Sequence, residues 1–128
     1  MSPGKGGGGA RGIEVLLPVR TWSEANLRSH WAQRARRAAE QREDALLLVR
    51  SGLAKRSVRI PAAGGRLTVR LTRIGPRPLD SDNLTGALKA VRDGVADALK
   101  LDDGDPRLEW TYAQRQSREY AVLVEILP

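Results

Sequence analysis

"RLTVRLTRIGPRPLDSDNLTGALKAVRDGVADALKLDDGDPRLEWTYAQR", residues 66–115, changes its hydrophobic period twice. It opens on a period of two. Leu67, Val69 and Leu71 alternate with Thr68, Arg70 and Thr72, which predicts a half-buried strand over 66–74. "GPRP" at 75–78 stops that strand. A helical period follows over about 83–100. At 100° per residue Leu84, Ala87, Leu88, Val91, Val95, Ala98 and Leu99 share one apolar arc. Lys89, Arg92, Asp93, Asp97 and Lys100 fall opposite it. "DDGDP" at 102–106 ends the helix, and Leu108, Trp110 and Tyr112 then alternate with Glu109 and Thr111 as a strand over 107–115.

On the C-terminal side, "YAVLVEIL" at 120–127 predicts one more strand, and "QSRE" before it is short enough for a hairpin with its neighbour. On the N-terminal side, residues 55–65 predict a loop broken by Pro61 and Gly64-Gly65. Leu27, Trp31, Ala35, Ala38, Ala45, Leu46 and Val49 predict a helix over 23–51, with Ser23 as N-cap and Gly52 just past its end. Its other face carries Arg34, Arg36, Arg37, Glu40 and Glu43. "IEVLLPV" at 13–19 predicts a strand with Ile13, Val15 and Leu17 on one face, ending or lying at a sheet edge because of Pro18. Residues 1–12 are glycine-rich and predict a disordered tail. The expectation is one α+β domain over 13–128, in β-α-β-α-β-β order, with two helices packed on a mixed sheet.

The chain has 128 residues, long enough for a core without staples. It has no cysteine, so disulfides, zinc–thiolate sites and cysteine nucleophiles are excluded. No apolar run is long enough for a membrane span, and no secretory signal opens the chain, so the expected location is the cytoplasm. Lys+Arg number 22 against 15 Asp+Glu, a net charge of +7 with a pI near 10.7. That balance points to a polyanionic partner, DNA first. Aromatic residues are only 4% of the chain, too few for a base-stacking platform. Arg34, Arg37, Arg70 and Arg77 are the candidate phosphate contacts, since guanidinium binds phosphate in bidentate fashion.

Within this basic chain, every aspartate except Asp44 lies between residues 79 and 106. Like charges so gathered repel unless a cation sits among them. Asp80 and Asp82 stand at i and i+2 before the second helix, a spacing that puts both on one face of extended backbone. Converging carboxylates suit a hard cation such as Mg²⁺. The structural alternative is helix capping by Asp82 or Asn83. Asp102 and Asp103 follow a helix C-terminus, where negative charge is unfavourable without a partner or a function, and Asp103 is the preferred third metal ligand. Lys89 is a candidate for stabilising charge on a scissile phosphate, with pairing to Asp93 as its structural alternative. An EF-hand is excluded, because Leu84 and Thr85 fall where the loop needs an oxygen ligand and a glycine. "GGGG" at 6–9 leads to no phosphate-binding lysine. The lone histidine, His30, stands beside Trp31 and reads as structural.

"DSDNL" at 80–84, "ALKAVRDGVADAL" at 87–99 and "DDGDP" at 102–106 together resemble the RusA-type Holliday junction resolvases, including those of phages and prophages. "ANLRSHW" at 25–31 and "WTYAQR" at 110–115 are also similar to that family. The resemblance implies a homodimeric, Mg²⁺-dependent endodeoxyribonuclease that nicks four-way DNA junctions. It implies Asp80, Asp82 and Asp103 as catalytic metal ligands and Lys89 as catalytic lysine, although "TGAL" sets Lys89 further from the aspartates than in some members. The runner-up is a non-catalytic nucleic-acid-binding protein derived from such an enzyme. A dimer is expected on length as well. A helix of about eighteen residues spans roughly 27 Å, whereas Mg²⁺ ligands lie about 2.1 Å from the ion. Asp82 and Asp103 therefore reach one metal from two chains, or from one chain whose helix breaks at Gly86 or Gly94.

Overall fold

Leu67, Val69 and Leu71 are fully buried along β2 (Leu67–Gly75), as their alternation requires. The computed structural model describes residues 12–21 and 31–128. In chain order the elements are β1 (Ile13–Leu17), α1 (Trp31–Arg56), β2, α2 (Ser81–Ala87), α3 (Lys89–Leu99), β3 (Leu108–Gln116) and β4 (Ala121–Leu127). They form a single α+β domain around one mixed sheet of strand order β1-β4-β2-β3. The expected N-cap Ser23, together with Leu27 and His30, lies outside the described residues, as does nearly all of the glycine-rich tail.

Strand register sorts the sheet into two faces. Val15, Val124, Leu71 and Tyr112 lie in one row, and Leu17, Val122, Arg73 and Gln114 in the next row on the same face. The helices cover this face, and its apolar residues join Ala45, Val49, Leu84, Leu88, Val91 and Val95 in one core. Glu14, Glu125, Arg70 and Thr111 form a row on the opposite face.

Three boundaries differ from expectation. The helix expected to stop before Gly52 runs through it to Arg56, and Ser57 then takes a left-handed φ of 51°. Gly52 is there for contact, because a Cβ on it would meet Val15 at 3.0 Å and Ile13 at 3.3 Å. The helix expected over 83–100 is two helices meeting at Leu88, whose ψ of 1° leaves the helical range. Leu88 N–H still bonds to Leu84 C=O, and Arg92 N–H to Leu88 C=O, so the helical phase is kept. Every residue of the expected apolar arc is consequently buried.

The third difference is topological. β3 and β4 are not a hairpin: β2 lies between them, parallel to β3 and antiparallel to β4. β2 is the most thoroughly buried strand, so two neighbours suit it better than a sheet edge. The turn after β3 crosses the end of β2, where Ser117 N–H bonds to Gly75 C=O at 2.9 Å. Two strand spacings are roughly 10 Å, a gap that about four extended residues can bridge.

Candidate functional site

Asp80 closes the turn that leaves β2 and caps α2. Its backbone is extended, with φ −69° and ψ 170°, and its carboxylate accepts from Asn83 N–H at 2.9 Å. Asn83 Nδ2 donates to the second oxygen at 3.2 Å. The cap is therefore Asp80, rather than Asp82 or Asn83. Asp82 lies inside the first turn of α2, so the pair does not converge by alternation along a strand. Both residues are exposed, and Asp82 makes no side-chain hydrogen bond or ion pair with the described residues.

The turn leading to Asp80 is held by side chains from the ends of β2 and β3. Gln114 accepts from Leu79 N–H at 2.8 Å and donates to Leu79 C=O at 2.7 Å, as a neighbouring strand would. Gln116 donates to Pro76 C=O at 3.2 Å. Arg73 Nη1 donates to Arg77 C=O at 2.6 Å, and Arg73 Nε donates to Thr21 Oγ1 at 3.0 Å. Arg73 is only 5% exposed. Burial pulls its pKa down, and nearby Tyr120 opposes that shift.

The remaining carboxylates of this segment are mostly paired. Asp103 Oδ2 meets Arg92 Nε at 3.1 Å, and its carbonyl accepts from Arg92 Nη2 at 3.2 Å and from Trp110 Nε1 at 2.7 Å. Arg92 also lies 4.6 Å over the Trp110 ring and donates to Tyr112 Oη at 2.7 Å. This is the compensating partner that an aspartate behind a helix C-terminus requires. Lys89 Nζ contacts both Asp93 oxygens at 2.8 and 2.9 Å, so its structural alternative is realised. Asp97 takes two bonds from Arg42 at 2.6 and 3.0 Å, and the hydrogen bond from Arg42 holds its carboxyl below the usual range. Asp105 is held at about 2, first by the side-chain hydrogen bond from Arg107 and then by Arg107 N–H. Among the described residues, no three His, Asp or Glu side chains are grouped so as to hold one metal ion. Asp103 thus forms no such group with Asp80 and Asp82 within one chain.

The candidate cations separate by face. Arg34, Arg37 and Lys89 line one cavity of about 510 Å³ between α1 and the α2–α3 pair, floored by Ala35, Ala38 and Ala90. Arg70 points away from it, on the helix-free face, 3.7 Å from Glu125. Arg77 is exposed on the turn before Asp80. No helix among the described residues is long and apolar enough to cross a membrane.

Arg73, Arg92 and Gln114 are the contributors that sequence patterning misses. Arg73 breaks an otherwise apolar inward row, and that charged residue at a core-facing position is the one available signal. No protein-family model matches the chain, and no curated protein matches it significantly.

Proposed function

We propose that this chain is a Mg²⁺-dependent, structure-specific endodeoxyribonuclease of the RusA type, acting on four-way DNA junctions in recombination and repair. The observation that carries the reading is selective pairing. Asp93, Asp97, Asp103 and Asp105 each have a lysine or arginine within ion-pair distance. Among the described residues Asp44, Asp80, Asp82 and Asp102 have none, and of these Asp80 and Asp82 stand together at the start of α2 on a braced turn, in a chain of net charge +7. Two uncompensated carboxylates in a strongly basic protein suit an oxygen-seeking divalent cation.

Asp80 and Asp82 fit the demands of such an ion, and they would hold it. When bound, Mg²⁺ supplies polarisation of a phosphodiester oxygen and a more acidic water. Asp80 keeps its position by capping α2, and Gln114 fixes the backbone immediately before it. Arg34, Arg37 and Lys89 supply positive charge along the neighbouring cavity for the DNA backbone. Asp103 joins the pair from a second copy of the chain. A symmetric interface repeats each contact, so a dimer built in this way has two equivalent sites, matching the two strands nicked in a junction. The working compartment is the cytoplasm of a bacterial or phage-infected cell.

A second reading, nucleic-acid binding without catalysis, is favoured by one observation: Asp103 is already engaged by Arg92. A labelled synthetic four-way junction separates the two. The enzyme nicks it with Mg²⁺ and not with EDTA, and Asp82→Asn abolishes nicking while junction binding persists. Binding by the wild type with no Mg²⁺-dependent nicking would leave only the second reading.

A further inference from the structure

Among the described residues Arg73 is a buried cation with no acid against it. Arginines 42, 92 and 107 each face an aspartate, but the described residues place no carboxylate against Arg73. A guanidinium carries five N–H donors. Arg73 uses Nε on Thr21 and one Nη1 hydrogen on the Arg77 carbonyl, so Nη2 and the second Nη1 hydrogen have no acceptor among the described residues. Burying a charge without an opposite partner is costly. Nη2 is not among the sealed, partnerless side-chain atoms, so it stays in reach of solvent.

The setting is built around that end of the side chain. Arg73 lies at the end of the inward face, beside Val122 and Gln114 in register. It folds back beneath Gly75, where a Cβ would stand 3.0 Å from Nη2 and 3.2 Å from Cζ. Any side chain at 75 would crowd the fork. A second guanidinium, that of Arg20, stacks 4.6 Å over the Tyr120 ring and adds positive potential at this end of the sheet. Three Cα-to-Cα steps separate Arg77, whose carbonyl Arg73 holds, from Asp80. That is roughly 11 Å at full extension.

We propose that Arg73, held by Thr21 and the Arg77 carbonyl beneath Gly75, is the receptor for one phosphate oxyanion, and that in use this is a nucleic-acid backbone phosphate next to the Asp80–Asp82 turn. The three N–H donors left lie on the two Nη atoms of one planar fork, and those two nitrogens match two phosphate oxygens. The assignment of the phosphate to nucleic acid rests on the function proposed above; the receptor itself does not.

The first arm of the test titrates the full ¹⁵N-labelled chain with inorganic phosphate, and with chloride at matched ionic strength, following the Arg73 Nε–Hε resonance. Phosphate is expected to give a saturable shift and chloride none. Gly75→Ala, which keeps the charge but crowds Nη2, is expected to weaken the phosphate response at least tenfold. No saturable shift, or an undiminished one in Gly75→Ala, overturns the receptor. The second arm measures DNA affinity against salt. Arg73→Gln is expected to reduce the log–log slope by about 0.9, the loss of one neutralised duplex phosphate. Gly75→Ala, which retains the Arg73 charge, is expected to lower DNA affinity and serves as the control should Arg73→Gln not fold. Undiminished DNA affinity in Gly75→Ala, where the wild type binds phosphate saturably and Gly75→Ala weakens that response, overturns the nucleic-acid source and leaves free phosphate. Neither arm reads cleavage, so a nuclease that proves inactive and a receptor that proves empty are told apart.

Discussion

Asp105 and Arg107 offer the clearest titration in the molecule. The folded Asp105 carboxyl sits at about 2 against an ordinary 3.8, so the pair's contribution to stability is complete above about pH 4 and disappears as pH falls through 2. Arg107→Gln should raise the Asp105 midpoint toward the ordinary value while the retained backbone N–H keeps it somewhat below, read by ¹³C-detected carboxylate titration. Urea unfolding of the variant should lose the share of acid sensitivity that belongs to this pair. An unmoved midpoint would show that Arg107 N–H, rather than the guanidinium, holds the carboxylate. The Asp80–Asp82 pair is legible in the sequence because its spacing is local, although it lies across a helix start rather than along one face of a strand. The partners of the other aspartates are not, because Arg92 meets Asp103 across 11 residues and Arg42 meets Asp97 across 55. Gln114 reaches Leu79 across 35 residues, and only the parallel pairing of β2 with β3 brings it there.

Helix α3 packs tightly against α1 at Gly94. A Cβ there would overlap the Arg42 carbonyl and come within 2.6 Å of the Ala45 Cβ. Gly94→Ala should therefore destabilise the fold by about 1–3 kcal/mol, the usual result of overpacking, seen as a lower urea midpoint with an unchanged m-value. Unchanged stability would mean that the two helices can separate without loss. The apolar arc from Leu84 to Leu99 was readable from periodicity alone, since it is a property of phase. The corner at Leu88 was not, because the phase survives it through the Leu84 and Leu88 carbonyls. The strand swap at β3 and β4 escaped local reasoning for a similar reason. A short link permits a hairpin, but the burial of β2 decides the neighbours.

Charge is distributed over the protein on two opposed faces of one sheet. Arg34 and Arg37 lie along the helix-side cavity with Lys89, whereas Arg70 lies on the far face beside Glu125. A duplex lying across the helix side should lose about 0.9 from its log–log salt slope for each of Arg34→Gln and Arg37→Gln, and nothing for Arg70→Gln. The reverse pattern, measured by fluorescence anisotropy over a salt series, would move the DNA to the open sheet face. Asp80, Asp82 and Asp103 form no metal-holding group within one chain, and the proposed catalytic centre is one shared between two. Subunit mixing tests this requirement, using Asp82→Asn and Asp103→Asn chains on a labelled four-way junction with Mg²⁺. Each homodimer should be inactive. A shared site predicts that confirmed heterodimers recover nicking at one of their two sites, because one site then carries both substitutions and the other carries neither. Heterodimers that recover no nicking would contradict the shared centre.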